Sequence, residues 1–282
     1  MLSYIVALVA GLIFFANPIS QLFYPKPANL KASSRLSPRP RLNESLLAID
    51  GPNATEPVCP PDTYVARILS REPLVIYLEN FLSDHERKHL LEISDPIFEP
   101  SLIGPRDQQR DTTVRDSHVA VVPRTDAVRC IERRALGLQG WRRDVWVERL
   151  RTQRYDAPAG HYSHHHDWSA NLGGWGRVSS FMVWVDDAGG SVEGGGTEFP
   201  MLEGRWDGDE WRRFVECGGG EGEEEGREEA RGTTFKVVPG NAVYWENFAP
   251  DGRGYGETWH AGLPVTKGTK VGLNIWTFGR IE

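Results

Sequence analysis

The sequence predicts a mixed α+β, mainly β domain of the double-sheet jelly-roll or barrel kind, entered through two helices. From Asp144 onward the runs VWVERLRTQRY, RVSSFMVWV, TTFKVV, NAVYWEN and KVGLNIWTF are short, rich in β-branched and aromatic side chains, and separated by Gly, Pro and Asp. Thirty glycines and nineteen prolines in 282 residues, about 17% against an average near 12%, ask for many turns. Two helical patterns precede the strands, and several short strands after a helical lead favour a closed or doubled sheet. The length suits one large or two small domains with a core that needs no disulfides. Of the net charge of −7, residues 221–229 (EGEEEGREE) carry six Glu against one Arg. The rest is nearly neutral and shows no basic face, which excludes an ordinary nucleic-acid binder.

Residues 1–24 contain no charged side chain, and 2–16 are apolar apart from Ser3. They read as an uncleaved signal anchor in preference to a cleaved signal peptide, although Asn17 and Pro18 interrupt the run at about 15 residues, short of the roughly 20 that span a bilayer. Residues 25–58 are rich in Pro, Ser, Asn and basic side chains and read as a linker. Its sequons, Asn43-Glu44-Ser45 and Asn53-Ala54-Thr55, are useful only in the secretory lumen. The basic residues after the apolar run favour the opposite orientation by the positive-inside rule. Lumenal placement at the endoplasmic reticulum membrane, with a single-pass anchor and glycosylation, is the expectation retained.

The first helix is announced by Ser83-Asp84-His85-Glu86, a capping-box pattern followed by Leu90, Leu91 and Ile93. The second runs over 126–136, with Val128, Ile131 and Ala135 on one face and Gly137 at its end. Cys59, Cys130 and Cys217 have no metal-type spacing, and an odd number permits at most one internal bridge. Residues 203–232 interrupt the β region with a Gly- and Glu-rich stretch that reads as a solvated loop.

Residues 161–168, HYSHHHDW, hold four histidines and a carboxylate. On a strand His165 and Asp167 share a face, as do His164 and His166. His260 lies just before the last strand run. Two imidazoles and a carboxylate on a β scaffold are the facial triad of non-haem Fe(II) oxygenases, while zinc hydrolases draw on the same residue types. Lys270 stands ten residues after His260 at the start of KVGLNIW. A cation there can pair with the far carboxylate of a chelating dicarboxylate, the geometry 2-oxoglutarate needs. A hydrolytic zinc has no use for it.

The ordered set Arg154-Tyr155, Tyr162, His165-His166-Asp167, Gly176-Arg177-Val178, EGGGTEFP, the Pro239–Trp245 strand, WHAGLPVTKGTK and Ile275-Trp276 strongly resembles the prolyl 4-hydroxylase family of 2-oxoglutarate- and Fe(II)-dependent dioxygenases. LVIYLENFLSDHERKHLLEI is similar to the family's opening strand and helix, so the resemblance covers roughly residues 70–282. It implies a double-stranded β-helix (jelly roll) with flanking N-terminal helices over 59–282, into which the acidic stretch is an insertion. It implies His165, Asp167 and His260 as the catalytic iron ligands, Lys270 on the distal carboxylate of 2-oxoglutarate, and Tyr155 beside that cosubstrate. Tyr162, Arg177 and Trp276 match positions on the peptide-substrate side. The implied reaction uses O2, releases succinate and CO2, and hydroxylates a prolyl residue of a protein or peptide, with L-ascorbate rescuing oxidised iron. Another residue or a small molecule as substrate, or a metal-dependent hydrolase, are the alternatives.

Overall fold

The computed structural model describes residues 43–281 apart from 104–109, 141, 143, 169–173, 205–209 and 217–231. The expected anchor (1–24), most of the linker, Cys217 and most of the acidic stretch therefore lie outside the described residues. Contacts divide the chain into Met1–Pro38 and Arg39–Glu282, and all the described elements belong to the second unit. Among the described residues no helix is long and apolar enough to cross a membrane.

The strands are, in order, β1 (Val65–Arg71), β2 (Leu74–Glu79), β3 (Glu99–Pro100), β4 (Arg115–Asp116), β5 (His118–Val121), β6 (Val145–Val147), β7 (Arg151–Asp156), β8 (His161–His165), β9 (Trp175–Asp186), β10 (Glu193–Gly194), β11 (Thr197–Phe199), β12 (Thr233–Phe235), β13 (Ala242–Glu246), β14 (His260–Gly262), β15 (Val265–Lys267) and β16 (Thr269–Arg280). Among the described residues two α-helices, α1 (Asp84–Ser94) and α2 (Asp126–Leu138), precede β6. The major sheet has the order β1-β2-β13-β9-β16-β7-β5-β3, with β6 beside β16; the minor sheet runs β12-β11-β14-β8-β4. Every pairing is antiparallel. The result is the jelly roll with flanking helices that the sequence predicts.

The major sheet is covered on both faces, which is why its central strands read as almost unbroken apolar runs. Leu78, Phe181, Val183, Ala242, Tyr244, Leu273 and Ile275 face the helices, where they meet Leu90 of α1 and Val128, Ile131 and Ala135 of α2. The alternate positions Val75, Tyr77, Met182, Trp184, Val243 and Trp245 face Phe199, Phe214 and Phe235 on the minor-sheet side. The same parity turns Lys270, Asn274 and Trp276 of β16 inward.

The capping box forms: the Ser83 amide donates to Glu86 Oε2 (2.8 Å) and the Glu86 amide to Ser83 Oγ (3.3 Å). Glu86 has a second use. It is buried against Arg134 of α2, whose Nη2 lies 2.9 Å from Glu86 Oε1, while Arg134 Nε reaches Asp62 and Nη1 the Phe81 carbonyl. Thr125 caps α2, which continues through Gly137 to Leu138 because the packing of Ile131 and Ala135 carries it past the glycine.

The chain is packed on this unit well before Cys59, where composition alone places the start of the domain. Leu47 is buried and bridges Glu148, and the Ala48 amide bonds the Val147 carbonyl. Arginines at and ahead of α2 then clasp the segment: Arg124 and Arg129 on Asp50, Arg133 on Glu56, Arg134 on Asp62. The Cys59–Cys130 disulfide closes the strap across 71 residues. A polar, Pro-containing composition looks like linker, but basic α2 supplies the partners that order it.

Candidate active site

The minor sheet places two of the three expected metal ligands in register. His165 ends β8 and His260 begins β14, and the two are direct cross-strand partners. Asp167 follows two residues past His165, beyond the strand end. His165 Nε2 lies 3.6 Å from Asp167 Oδ1 and His260 Nε2 4.0 Å from Oδ2, and one donor atom from each of the three falls within 4.8 Å of the others.

The tautomers follow from the backbone. His165 Nδ1 lies 2.8 Å from the Ser163 carbonyl and His260 Nδ1 2.9 Å from the Thr258 carbonyl. A carbonyl only accepts, so Nδ1 carries the proton in both rings and the Nε2 lone pairs point at the common centre. Burial pushes the His260 imidazole down to about 4, against the nearby Asp167 charge, which keeps it neutral as a ligand must be. Burial would raise the Asp167 carboxyl, but in the metal-free site the charges that face it, from His165 and His260 when Nε2 is also protonated and from Arg177, prevail and hold it well below the ordinary range. Phe199 stacks on His260 at 5.2 Å and Trp245 meets it edge-on at 4.9 Å, giving an apolar wall. Between Tyr162 and His165 strand β8 spends one residue more than β14 does. That bulge brings Tyr162 to the same side, where its ring stacks on His165 at 3.7 Å.

The other end of the pocket belongs to the major sheet. Lys270 and Tyr155 are cross-strand partners on β16 and β7, with Nζ 4.7 Å from the Tyr155 ring centroid. Lys270 is 1% exposed, and Nζ donates to the Gly195 carbonyl at 2.5 Å. Among the described residues no carboxylate pairs with it, and burial pushes the ammonium down to about 7. Gly195 adopts φ +73, and a Cβ there would meet Val265 Cγ2 at 3.0 Å; the glycine is what lets its carbonyl approach the lysine.

One pocket contains His165, Asp167, His260, Lys270, Tyr155 and Tyr162 together. Sequence reading missed its remaining lining, Gln153, Met182, Thr197, Trp245, Gly262 and Asn274. Parity could have found two of these, since Gln153 shares a face with Tyr155 along β7 and Asn274 shares one with Lys270 along β16. Gln153 Nε2 and Thr197 Oγ1 are buried without a hydrogen-bond partner. A buried cation lacking a counter-charge, two unpaired polar atoms and a neutral-imidazole and carboxylate donor set fit an iron with a dicarboxylate bound to it.

Arg177 and Trp276 stand beside this pocket without lining it. Arg177 forks onto Glu148 (Nε–Oε1 2.5 Å, Nη2–Oε2 2.9 Å) and lies 3.9 Å over the Trp276 ring. His161, His164 and His166 take no part in the triad. His164 bonds Glu198 at 2.7 Å, His166 faces the Gly256 carbonyl, and His161 faces the carbonyls of Ala159 and Thr113.

A facial His-Asp-His set opposite a buried, unpaired lysine inside a jelly roll defines a 2-oxoglutarate- and Fe(II)-dependent dioxygenase. No family model matches the chain, but its relatives agree with that class. It is 26% identical over 225 residues to probable prolyl 4-hydroxylase 10 of Arabidopsis thaliana, covering 74% of this chain and 70% of the relative. It is 24% identical over 221 residues to mouse prolyl 4-hydroxylase subunit alpha-3, covering 74% of this chain and 34% of that subunit. A viral collagen prolyl hydroxylase from Paramecium bursaria Chlorella virus-1, solved as its 2OG complex, shares the fold with a TM-score of 0.50 at 21% identity over 73% of this chain and 96% of that one. The chain is therefore similar to prolyl 4-hydroxylases in sequence and shares the fold of a viral member.

Proposed function

We propose that the protein hydroxylates a prolyl residue in a protein or peptide, consuming 2-oxoglutarate and O2 and releasing succinate and CO2. The observation that carries this reading is the Lys270 ammonium, fully buried opposite the triad with no carboxylate paired to it among the described residues. The missing anion is the distal carboxylate of the cosubstrate, and the names of the relatives point to proline as the substrate side chain. Iron and 2-oxoglutarate, when bound, supply the oxidising chemistry that activates dioxygen, with ascorbate keeping the iron reduced.

The chain's own part is positional. His165 and His260, locked through Nδ1 by backbone carbonyls, would hold the metal through Nε2, with ionised Asp167 as the third protein ligand. Lys270 anchors the far end of the cosubstrate, with the Tyr155 ring packed along it and Gln153 and Thr197 offering further polar atoms. Phe199 and Trp245 exclude water behind His260. Tyr162, at the mouth, gives a proline ring an aromatic surface.

The reading is tested by loading the protein anaerobically with Fe(II) and 2-oxoglutarate, then admitting oxygen with a proline-containing peptide. A weak visible charge-transfer band, succinate, and a peptide heavier by one oxygen are expected. Succinate without a mass gain would retire proline as substrate, and metal-loaded protein giving neither band nor succinate would retire the dioxygenase.

A lumenal, membrane-anchored location is part of the same proposal. The Cys59–Cys130 bridge suits an oxidising compartment, Asn43 and Asn53 of the two sequons are exposed, and residues 1–24 have the apolar character of an anchor. Glycosidase-sensitive mobility together with resistance to carbonate extraction is the expected result; full extraction of an unglycosylated chain would overturn it.

A further inference from the structure

Beside the metal pocket three guanidinium groups gather around two aromatic rings. Arg115 on β4 is the cross-strand partner of Tyr162 and lies 4.6 Å over its ring. Arg177 lies 3.9 Å over Trp276, and Arg151 approaches the same ring at 5.5 Å. Arg151 faces the pocket side by two registers. It alternates with Gln153 and Tyr155 along β7, and it sits opposite Asn274 of β16, itself a lining residue.

These charges are poorly compensated. Among the described residues Glu148 is the one carboxylate that pairs with any of the three, and both its oxygens are taken by Arg177. Arg115 Nε donates to the neutral Ser117 hydroxyl, while Arg115 Nη2 and Arg151 Nε are buried with no hydrogen-bond partner. Asp167 feels Arg177, but it is committed to the metal centre. Among the described residues two of the three positive charges therefore have no carboxylate paired with them, Arg151 feeling only the Glu148 already bonded to Arg177, and one N–H group of each lacks an acceptor. Guanidiniums stacked on aromatic faces keep their N–H edges free for a planar anion, and all three side chains remain partly open to solvent.

We infer that the enzyme selects prolyl substrates bearing an acidic side chain, Asp or Glu, close to the target proline, and that Arg115 and Arg151 bind that carboxylate beside the Glu148-paired Arg177. This rests on the prolyl hydroxylase reading and adds a specificity that the fold class does not dictate. A neutral peptide would leave buried donors unpaired, which is costly, and a basic one would meet like charge.

The test is a scan of short, fluorescently labelled proline peptides with amidated C-termini, in which one position at a time near the proline is Glu, Gln or Lys. Binding to anaerobic protein loaded with Fe(II) and 2-oxoglutarate is read by anisotropy, and hydroxylation of the same peptides by mass. At one or two positions Glu should bind at least about tenfold more tightly than Gln, and Lys more weakly than either. Arg151→Gln and Arg115→Gln should shrink the Glu/Gln ratio, whereas Arg151→Lys should keep part of it. Equal affinity for Glu and Gln at every position overturns the inference whatever the turnover, as does a preference that appears only when the C-terminal carboxylate is left free. Acid preference without any mass gain would uphold the arginines as a carboxylate-binding site and overturn prolyl hydroxylation, so the two failures are told apart.

Discussion

The two ends of the pocket are built differently. The metal end rests on the minor sheet, whose strands span only two to five residues, and its geometry is held by local devices: a one-residue bulge in β8 and two histidine-to-carbonyl bonds, each reaching two residues back. The cosubstrate end rests on β16, twelve residues long and paired with both β7 and β9, and its one charged group is held by burial. Local bonds orient ligands that must converge on a point, whereas a long buried strand can carry an uncompensated charge because its neighbours cannot move to relieve it.

The largest effect should come from the metal end. Asp167→Ala or His165→Ala should abolish Fe(II) retention and turnover while the chain stays folded, read by metal content, succinate and circular dichroism. Retained turnover in either would break the contrast at its root.

Lys270→Met separates function from stability at the other end. Affinity for 2-oxoglutarate should fall on the order of 10²-fold, the worth of a strong charge-assisted bond, while the ligand-free protein should melt higher because an unpaired buried charge has gone. The pH dependence sharpens this. Burial lowers the folded Lys270 to about 7, below its unfolded value near 10.4. Between those values the unfolded chain holds a proton that the folded one lacks, so ligand-free stability should rise with pH from about 7 to about 10 and be flat below. Over the same window 2-oxoglutarate should bind more weakly as pH rises, because the cation it needs is being lost. Lys270→Met should remove both slopes, and a wild-type melting profile without the rise would contradict the burial account.

Outside the pocket the effects should fall on stability alone. Arg134→Ala leaves Glu86 buried and unpaired between the helices, a loss of roughly 3–5 kcal/mol in denaturant unfolding, with the KM for 2-oxoglutarate unchanged in the folded fraction. Ser83→Ala removes one cap of α1 and should cost about 1 kcal/mol.

The same contrast governs what could be read from the sequence. His165, Asp167, His260 and Lys270 were legible because residue type, parity and spacing each constrain them, and the long strands around 177–185 and 270–278 were legible because burial on both faces leaves apolar runs. Strands such as β4, β10, β11 and β14 were not, since two or three residues carry no period. Gln153, Thr197 and Asn274 are ordinary residues that matter through the strand opposite, and register is a property of two segments at once. Arg115 escaped for the same reason: only the β4–β8 pairing puts it over Tyr162.

The strap over α2 has a mechanical consequence. Tension applied at the N-terminal end of the folded unit would enter through the Leu47–Glu148 bridge and the arginine clasp and be stopped at the Cys59–Cys130 crosslink, on the helix side of the major sheet. The ligand-bearing strands β8 and β14 lie in the other sheet, off that line of force, so a tethered enzyme could be pulled without its ligand geometry being the first thing to yield.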